Sequence, residues 1–332
     1  MSRVCKLCGH CISKNLAMLQ IRKISKRMIT TYSRDDYPGF GFDQRIAMKQ
    51  RTLFDQSMRF TSSSSVSEEE TKKFSKLAHS WWDERGDMMA LHTMNSLRVP
   101  FIRDCLLYQG FGKPKTSKAL EGVNILEVGC GAGILSEPLA RLGASVVGID
   151  SSAEALEAAK IHRGDDEDLQ SLQYLDSWLE DIVAVGSIKF DCVVASEVIE
   201  HVEDYRNFIQ MCNKVLKPGG SLFISTMNRT NYSYYLGIIM AEYVLHVVSP
   251  GTHTWDKFLK PAEVEDALLN EGCPLVKIHG MCYDPIRNKW SWTSSTELNY
   301  IVHAVKTIPT ASENEKETKT LPESSEKENT PT

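Results

Sequence analysis

From Val123 onward, short apolar runs alternate with segments whose apolar residues recur every three to four positions, the pattern of a parallel sheet with crossover helices. The runs predict strands over Asn124–Val128, Ser145–Ile149, Leu172–Tyr174, Phe190–Ser196 and Gly220–Thr226. The helical periods predict helices over Gly133–Leu142, Ala153–His162 and Asp204–Leu216, the last stopped by Lys217-Pro218-Gly219-Gly220. Beyond an insertion at 227–260, a helix is expected from Pro261 to about Asn270, then strands near Pro274–Tyr283 and Leu298–Lys306. Seven strands ending in a hairpin exceed a minimal nucleotide-binding half.

Upstream, Ser67-Glu68-Glu69-Glu70 combines an N-cap with acids suited to a helix start, and Phe74, Leu77, Ala78, Trp81 and Trp82 follow at helical spacing. A second helix is expected over Ser96–Leu107, so 67–119 reads as a helical extension or lid on a domain at 120–306. Residues 35–66 end in Thr61-Ser62-Ser63-Ser64-Ser65 and read as a linker. The tail 307–332, with six glutamates, three prolines and no aromatic residue, is expected to be disordered.

Charge changes the picture at one end. Residues 1–34 hold eight Lys/Arg and no acid, which leaves the remainder strongly acidic and argues against nucleic acid as a partner. Basic, hydroxylated and apolar residues (Leu16, Leu19, Ile21, Ile24, Met28) mix over 12–33 in the pattern of a mitochondrial transit peptide, with an ordinary basic helix as the plain alternative. Cys5-x-x-Cys8-x-x-Cys11 is half a zinc ribbon, but no second ligand pair follows at the required spacing. The other six cysteines are scattered, mostly among apolar residues, and imply no disulfide framework.

The chemistry begins at Leu126-Glu127-Val128-Gly129-Cys130-Gly131-Ala132-Gly133, where a strand runs into three alternating glycines and a helix. Such a loop lets backbone N–H groups approach a ligand closely. Its G-x-G-x-G spacing differs from the G-x-G-x-x-G of dinucleotide sites. Asp150 closes the second strand where a carboxylate can take the two hydroxyls of a ribose. Together they describe an adenosine-ribose site with room for an amino-acid tail.

E-V-G-C-G-A-G, this aspartate, F-D-C-V-V-A-S-E at strand four and L-K-P-G-G-S-L at strand five resemble the class I S-adenosylmethionine-dependent methyltransferases over 120–306. F-S-K-L-A-H-S-W-W-D, L-H-T-M-N-S-L-R ending at Arg98, S-E-V-I-E-H-V, S-T-M-N-R-T, A-E-Y-V-L-H-V-V-S-P-G-T-H-T-W and Y-D-P-I resemble the O-methyltransferases of ubiquinone biosynthesis over about 70–306. The chain departs from that family at Asn95-Ser96, usually Asn-Pro, and at Ala132, usually glycine. The resemblance implies an α/β, Rossmann-like fold with a seven-stranded, mostly parallel sheet and a closing antiparallel strand. It assigns Arg98, Gly129, Asp150 and Ser196 to S-adenosylmethionine, with the Arg98 guanidinium suited to the methionine carboxylate. The implied acceptor is a phenolic hydroxyl of a polyprenylated dihydroxy-benzene. The implied setting is peripheral, on the matrix side of the mitochondrial inner membrane, within a multi-subunit ubiquinone-biosynthesis complex.

Glu197-x-x-Glu200-His201 places two carboxylates and an imidazole just past strand four, at the edge where open α/β sheets bind ligands. Methyl transfer to a phenol needs the phenolate, because the neutral hydroxyl is a poor nucleophile with a pKa of about 10. A magnesium ion held by Glu197, Glu200 and His201 supplies one route to it. His201 acting as a metal-free general base supplies the other. Between Arg229 and Lys257, the segment 232–248 is apolar or aromatic save for Glu242, and suits a membrane-surface helix or an ordinary core helix. Two other function classes stay open: methylation of a protein or RNA acceptor, and a cofactor-binding scaffold without catalysis.

Overall fold

The computed structural model describes residues 81–86, 88–234 and 255–309. A long helix, α1 (Met89–Tyr108), precedes an alternating run: β1 (Asn124–Val128), α2 (Ser136–Arg141), β2 (Ser145–Asp150), α3 (Ala153–Arg163), β3 (Leu172–Asp176), α4 (Leu179–Val185), β4 (Phe190–Ser196), α5 (Tyr205–Val215) and β5 (Leu216–Met227). Then come α6 (Pro261–Asn270), β6 (Leu275–Asp284), β7 (Lys289–Thr293) and β8 (Asn299–Val305). The helix starts obey local chemistry. Ser152 accepts the Ala155 N–H at the head of α3, and Asp204 accepts those of Arg206 and Asn207 at the head of α5. Pro261 opens α6, and Glu263 reaches back to the Lys260 N–H.

The eight strands form one sheet in the order β3-β2-β1-β4-β5-β8-β6-β7. The first five are mutually parallel; β8 joins β5 antiparallel, and β6 and β7 complete an antiparallel edge. Strand order reverses between β1 and β4, so their carboxyl ends form the crevice in which such sheets bind ligands. Alternation along the strands sends side chains to two cores. Leu126, Val193 and Ile224 face one, together with Phe208 of α5 and Tyr300. Ile125, Val194 and Phe223 face the other, which α1 covers with Ile102, Cys105 and Leu106.

The expected fold class is correct, and two elements are additional. The sheet has eight strands, because Trp290-Ser291-Trp292 forms the short β7 beyond the Asp284 turn. The short helix α4 follows β3, capped by Asp181 accepting the Trp178 N–H. Two boundaries also move. α1 begins seven residues before the expected Ser96 and contains Pro100. β5 starts at Leu216, pairs with Phe190, and resumes after an irregularity. Of the helix expected from Ser67, only Trp81 and Trp82 lie among the described residues, in a turn. The transit segment, the linker, most of the apolar insertion and nearly all of the tail lie outside the described residues. No described helix is long and apolar enough to cross a membrane.

Candidate active site

The glycine loop leaves β1 and packs against Trp81, Trp82 and Asn95 of the segment before it. Gly129 and Gly131 have φ of +69° and +53°. A Cβ on Gly129 would lie 2.5 Å from Val198 Cγ2, and one on Gly131 2.5 Å from the Trp81 ring, so both conformation and space demand glycine. The Trp82 indole N–H donates to the Ala132 carbonyl (3.1 Å), and Asn95 Nδ2 to that of Ile134 (2.7 Å). Trp82 also stacks on His162 of α3, with ring centroids 3.4 Å apart. These contacts fix the segment to the C-terminal half of the loop and to α3. Trp81 Nε1 is buried there without a hydrogen-bond partner among the described residues.

Asp150, at the end of β2, holds the loop from the other side. Its carboxylate accepts the Gly131 N–H (2.8 Å) and the Ser152 N–H (2.8 Å). Burial raises its pKa, opposed chiefly by those backbone N–H groups. The Ser151 N–H is a third backbone donor to this carboxylate, so three of its roughly four lone-pair sites are met by the chain and one is left for a ligand hydroxyl. Glu127 lies one face below, accepts the Ser136 hydroxyl, and is pushed up to about 7 by burial.

Arg98 is buried beside this loop. Its Nε and Nη2 donate to Asn95 Oδ1 (3.1 and 2.7 Å), Nη2 also to the Leu91 carbonyl (3.0 Å), and Nη1 to Ser196 Oγ (2.7 Å). Four of the five guanidinium N–H groups are thereby used, and the fifth, on Nη1, is left to an incoming acceptor. Burial lowers the Arg98 pKa, opposed by the carboxylates of Glu197 and Glu127. An orphan indole N–H, a glycine cradle, a carboxylate with one spare lone pair and an unspent guanidinium N–H fit a ligand carrying a ribose and an amino-acid carboxylate, as S-adenosylmethionine does.

Ser196 continues the contact outward. Its hydroxyl is 2.7 Å from Ser225 Oγ, and Ser225 Oγ donates to Glu197 Oε1 (2.7 Å). A guanidinium only donates and a carboxylate only accepts, so the two hydroxyls between them are oriented one way, from Arg98 toward Glu197. The other Glu197 oxygen accepts Asn299 Nδ2 (3.1 Å). Glu197 has φ +57°, a left-handed conformation rare for a side chain-bearing residue and concentrated at functional sites.

Of the residues predicted from the sequence, Arg98, Ser196 and Glu197 join in one hydrogen-bonded chain, and Gly129 and Asp150 shape the loop beside it. Glu200 does not join them. Its Oε2 accepts the Thr226 hydroxyl (2.8 Å), whereas Glu197 accepts that of Ser225. Consecutive residues of a strand point to opposite faces, so the two carboxylates are anchored on opposite sides of β5. Glu200 is buried, and desolvation with the nearby Glu197 charge pushes it up to about 8. His201 is half-buried in a short helical turn over Ile199–His201. The magnesium site expected from Glu197, Glu200 and His201 is therefore not formed: among the described residues no three His, Cys, Asp or Glu side chains gather to hold a cation. Sequence reasoning missed Asn95, Ser225 and Asn299. Asn95 was accessible from its one-turn spacing to Arg98, but the others reach the site from distant strands.

Residues 126–224 match the family model described as a methyltransferase domain. The chain is 49% identical over 248 residues to the mitochondrial ubiquinone biosynthesis O-methyltransferase of Rattus norvegicus, covering 74% of this chain and 72% of that protein. With the Homo sapiens protein of the same name the identity is 49% over 247 residues, covering 74% and 67%. A ubiquinone biosynthesis O-methyltransferase of a Bradyrhizobium strain is 41% identical over 253 residues, 76% of this chain and 98% of that protein.

Proposed function

Because the chain belongs to the ubiquinone biosynthesis O-methyltransferases, we propose that it methylates a phenolic hydroxyl of a polyprenylated dihydroxy-benzene at the carboxyl ends of β1 and β4. S-adenosylmethionine, when bound, supplies a methyl group on a positively charged sulfur, which departs as a neutral thioether. Arg98 receives the methionine carboxylate on its remaining Nη1 donor, and Asp150 receives a ribose hydroxyl. The Gly129–Gly133 backbone brings the ligand against the sheet, and Trp81 and Trp82 shut out water from above. On the acceptor side, His201 takes the phenolic proton as the new carbon–oxygen bond forms, and Glu197 orients the ring hydroxyls. Magnesium enters no step, since Glu200 is turned to the opposite face of β5. The observation that carries the reading is the chain Arg98–Ser196–Ser225–Glu197, which ties the cofactor side of the crevice to its acceptor side within a few ångströms.

The membrane enters through the substrate. A polyprenyl tail partitions into lipid, so the apolar segment 232–248 serves as the docking surface at the inner membrane, and partner subunits of a biosynthetic complex assemble around it. The mammalian relatives are named mitochondrial, and the basic 1–34 segment serves as the import signal removed from the mature chain. N-terminal sequencing of the native protein should find a start beyond about residue 34. The deciding experiment incubates the purified protein with methyl-labelled S-adenosylmethionine and a panel of prenylated catechols, proteins and RNA. A singly methylated catechol identified by mass spectrometry is the expected product. Label in protein or RNA, or no transfer at all, refutes the assignment.

A further inference from the structure

Asn299 begins β8 opposite Met227 of β5 and is buried. Its amide is only half used: Nδ2 donates to Glu197, whereas Oδ1 is buried and has no hydrogen-bond partner among the described residues. Asn228, one residue past the end of β5, repeats the arrangement. Its Nδ2 donates to the Thr296 carbonyl (2.8 Å), and its Oδ1 is likewise buried without a partner. An amide oxygen closed off from water and from every donor is costly to maintain. Flipping the Asn299 amide would satisfy the oxygen no better, because it would then face the acceptor-only carboxylate of Glu197. The Glu197 contact thus fixes which amide atom is left over, and that atom has no O–H or N–H donor among the described residues.

The neighbouring hydroxyls cannot supply one. Ser225 donates to Glu197, Ser196 is oriented toward Ser225, and Thr226 donates to Glu200. Around Glu197 the carboxylate and the Asn299 amide oxygen are acceptors, while the hydroxyls of Ser196, Ser225 and Thr226 are already committed as donors. Such acceptors favour a ligand bearing adjacent O–H groups. We propose that Asn299 is a specificity-determining residue for a 1,2-dihydroxy ring: its N–H fixes Glu197 and its Oδ1 accepts the hydroxyl beside the one that is methylated. The inference rests on the catechol methyltransferase reading and deepens it. It explains how a ring with two hydroxyls is held in one orientation, and why a ring with a single hydroxyl is a poor substrate. Asn299 touches the hydroxyl that does not react, so its effect is on selection and placement of the ring.

The test compares a prenylated catechol with the matching phenol lacking the adjacent hydroxyl, in the full-length protein and in Asn299→Leu and Asn299→Ser. The wild type should favour the catechol in kcat/KM by up to about 10⁴-fold, as sites built to hydrogen-bond a hydroxyl do. In both variants the preference should shrink by at least about tenfold, because releasing Glu197 slows both substrates whereas the catechol alone also loses the contact to Oδ1. S-adenosylhomocysteine affinity by calorimetry and circular dichroism verify folding, and the smaller Ser variant decides if Leu does not fold. Equal losses for both substrates, or a retained preference, overturns the role of Asn299. A wild type that methylates neither substrate refutes the underlying reading instead, so the two failures are distinct.

Discussion

Replacing Glu127 by glutamine isolates the cost of a buried carboxyl beneath the glycine loop. Burial pushes this group up to about 7 from an ordinary 4.5, against the opposing pull of the Ser136 hydroxyl and Arg98. At 1.36 kcal/mol per pH unit, the gap corresponds to roughly 3 kcal/mol between the two ends of the titration. The sign follows from proton counting. Between pH 4.5 and 7 the unfolded chain has released this proton and the folded chain still holds it, so folding takes up a proton and stability falls as pH rises. The Glu127 contribution is complete below the unfolded pKa and is lost as pH passes through the folded one. Glutamine is neutral throughout and can accept the same Ser136 hydroxyl. The assay is urea unfolding followed by circular dichroism at about pH 5 and pH 8 for both proteins. Other buried acids contribute to each profile and cancel in the difference, so Glu127→Gln should gain about 2–3 kcal/mol on the wild type between the two pH values. Parallel profiles would refute the claim that Glu127 is held protonated by its surroundings.

The other expectations concern single contacts. Arg98→Lys replaces a four-bond fork with three donors that cannot reach Asn95, Leu91 and Ser196 together, so KM for S-adenosylmethionine should rise by roughly 10- to 100-fold; steady-state kinetics with an unchanged KM would contradict it. Asp150→Ala releases the Gly131 and Ser152 N–H groups and should weaken cofactor binding by about 1–3 kcal/mol in titration calorimetry. Ser152→Ala removes the cap of α3 and should lower unfolding stability by about 1 kcal/mol while leaving acceptor kinetics untouched.

Legibility followed sequence distance. The strand, glycine loop and helix of 124–142 lie within one short stretch, where a loop's backbone requirement is written directly in residue type. Asp150 was readable because a parallel βαβ unit places the end of its second strand beside the end of its first. β7 was not, because its strict polar–apolar alternation, Lys289-Trp290-Ser291-Trp292-Thr293, spans only five residues beside a turn. Ser225 and Asn299 belong to a different category. Serine and asparagine are common in loops and at strand ends, and only the β5–β8 register, Thr226 against Tyr300 and Met227 against Asn299, brings an amide to Glu197. No local pattern contains that register.

The same reasoning explains why Glu197 and Glu200 read as a pair and fold as two different groups. In sequence they are three residues apart, a spacing that joins side chains on one face of a helix. Between them the chain does not form a continuous helix. Glu197 takes a left-handed conformation immediately after β4, and only Ile199–His201 closes a helical turn. That break decouples the two side chains, and β5 captures them separately through hydroxyls of adjacent residues, Ser225 for Glu197 and Thr226 for Glu200. Strand alternation then assigns each carboxylate its environment. Glu197 is tied to Arg98 through two oriented hydroxyls and remains half-buried at the crevice, whereas Glu200 joins the core beside Ile199 and Tyr300 and holds its proton. Two residues of one type, three positions apart, thus acquire different surroundings from the pleat of a single strand: Glu197 meets Arg98 through two hydrogen-bonded hydroxyls at the crevice, whereas Glu200 is a buried carboxyl whose raised pKa keeps it neutral on the side where the core can tolerate it.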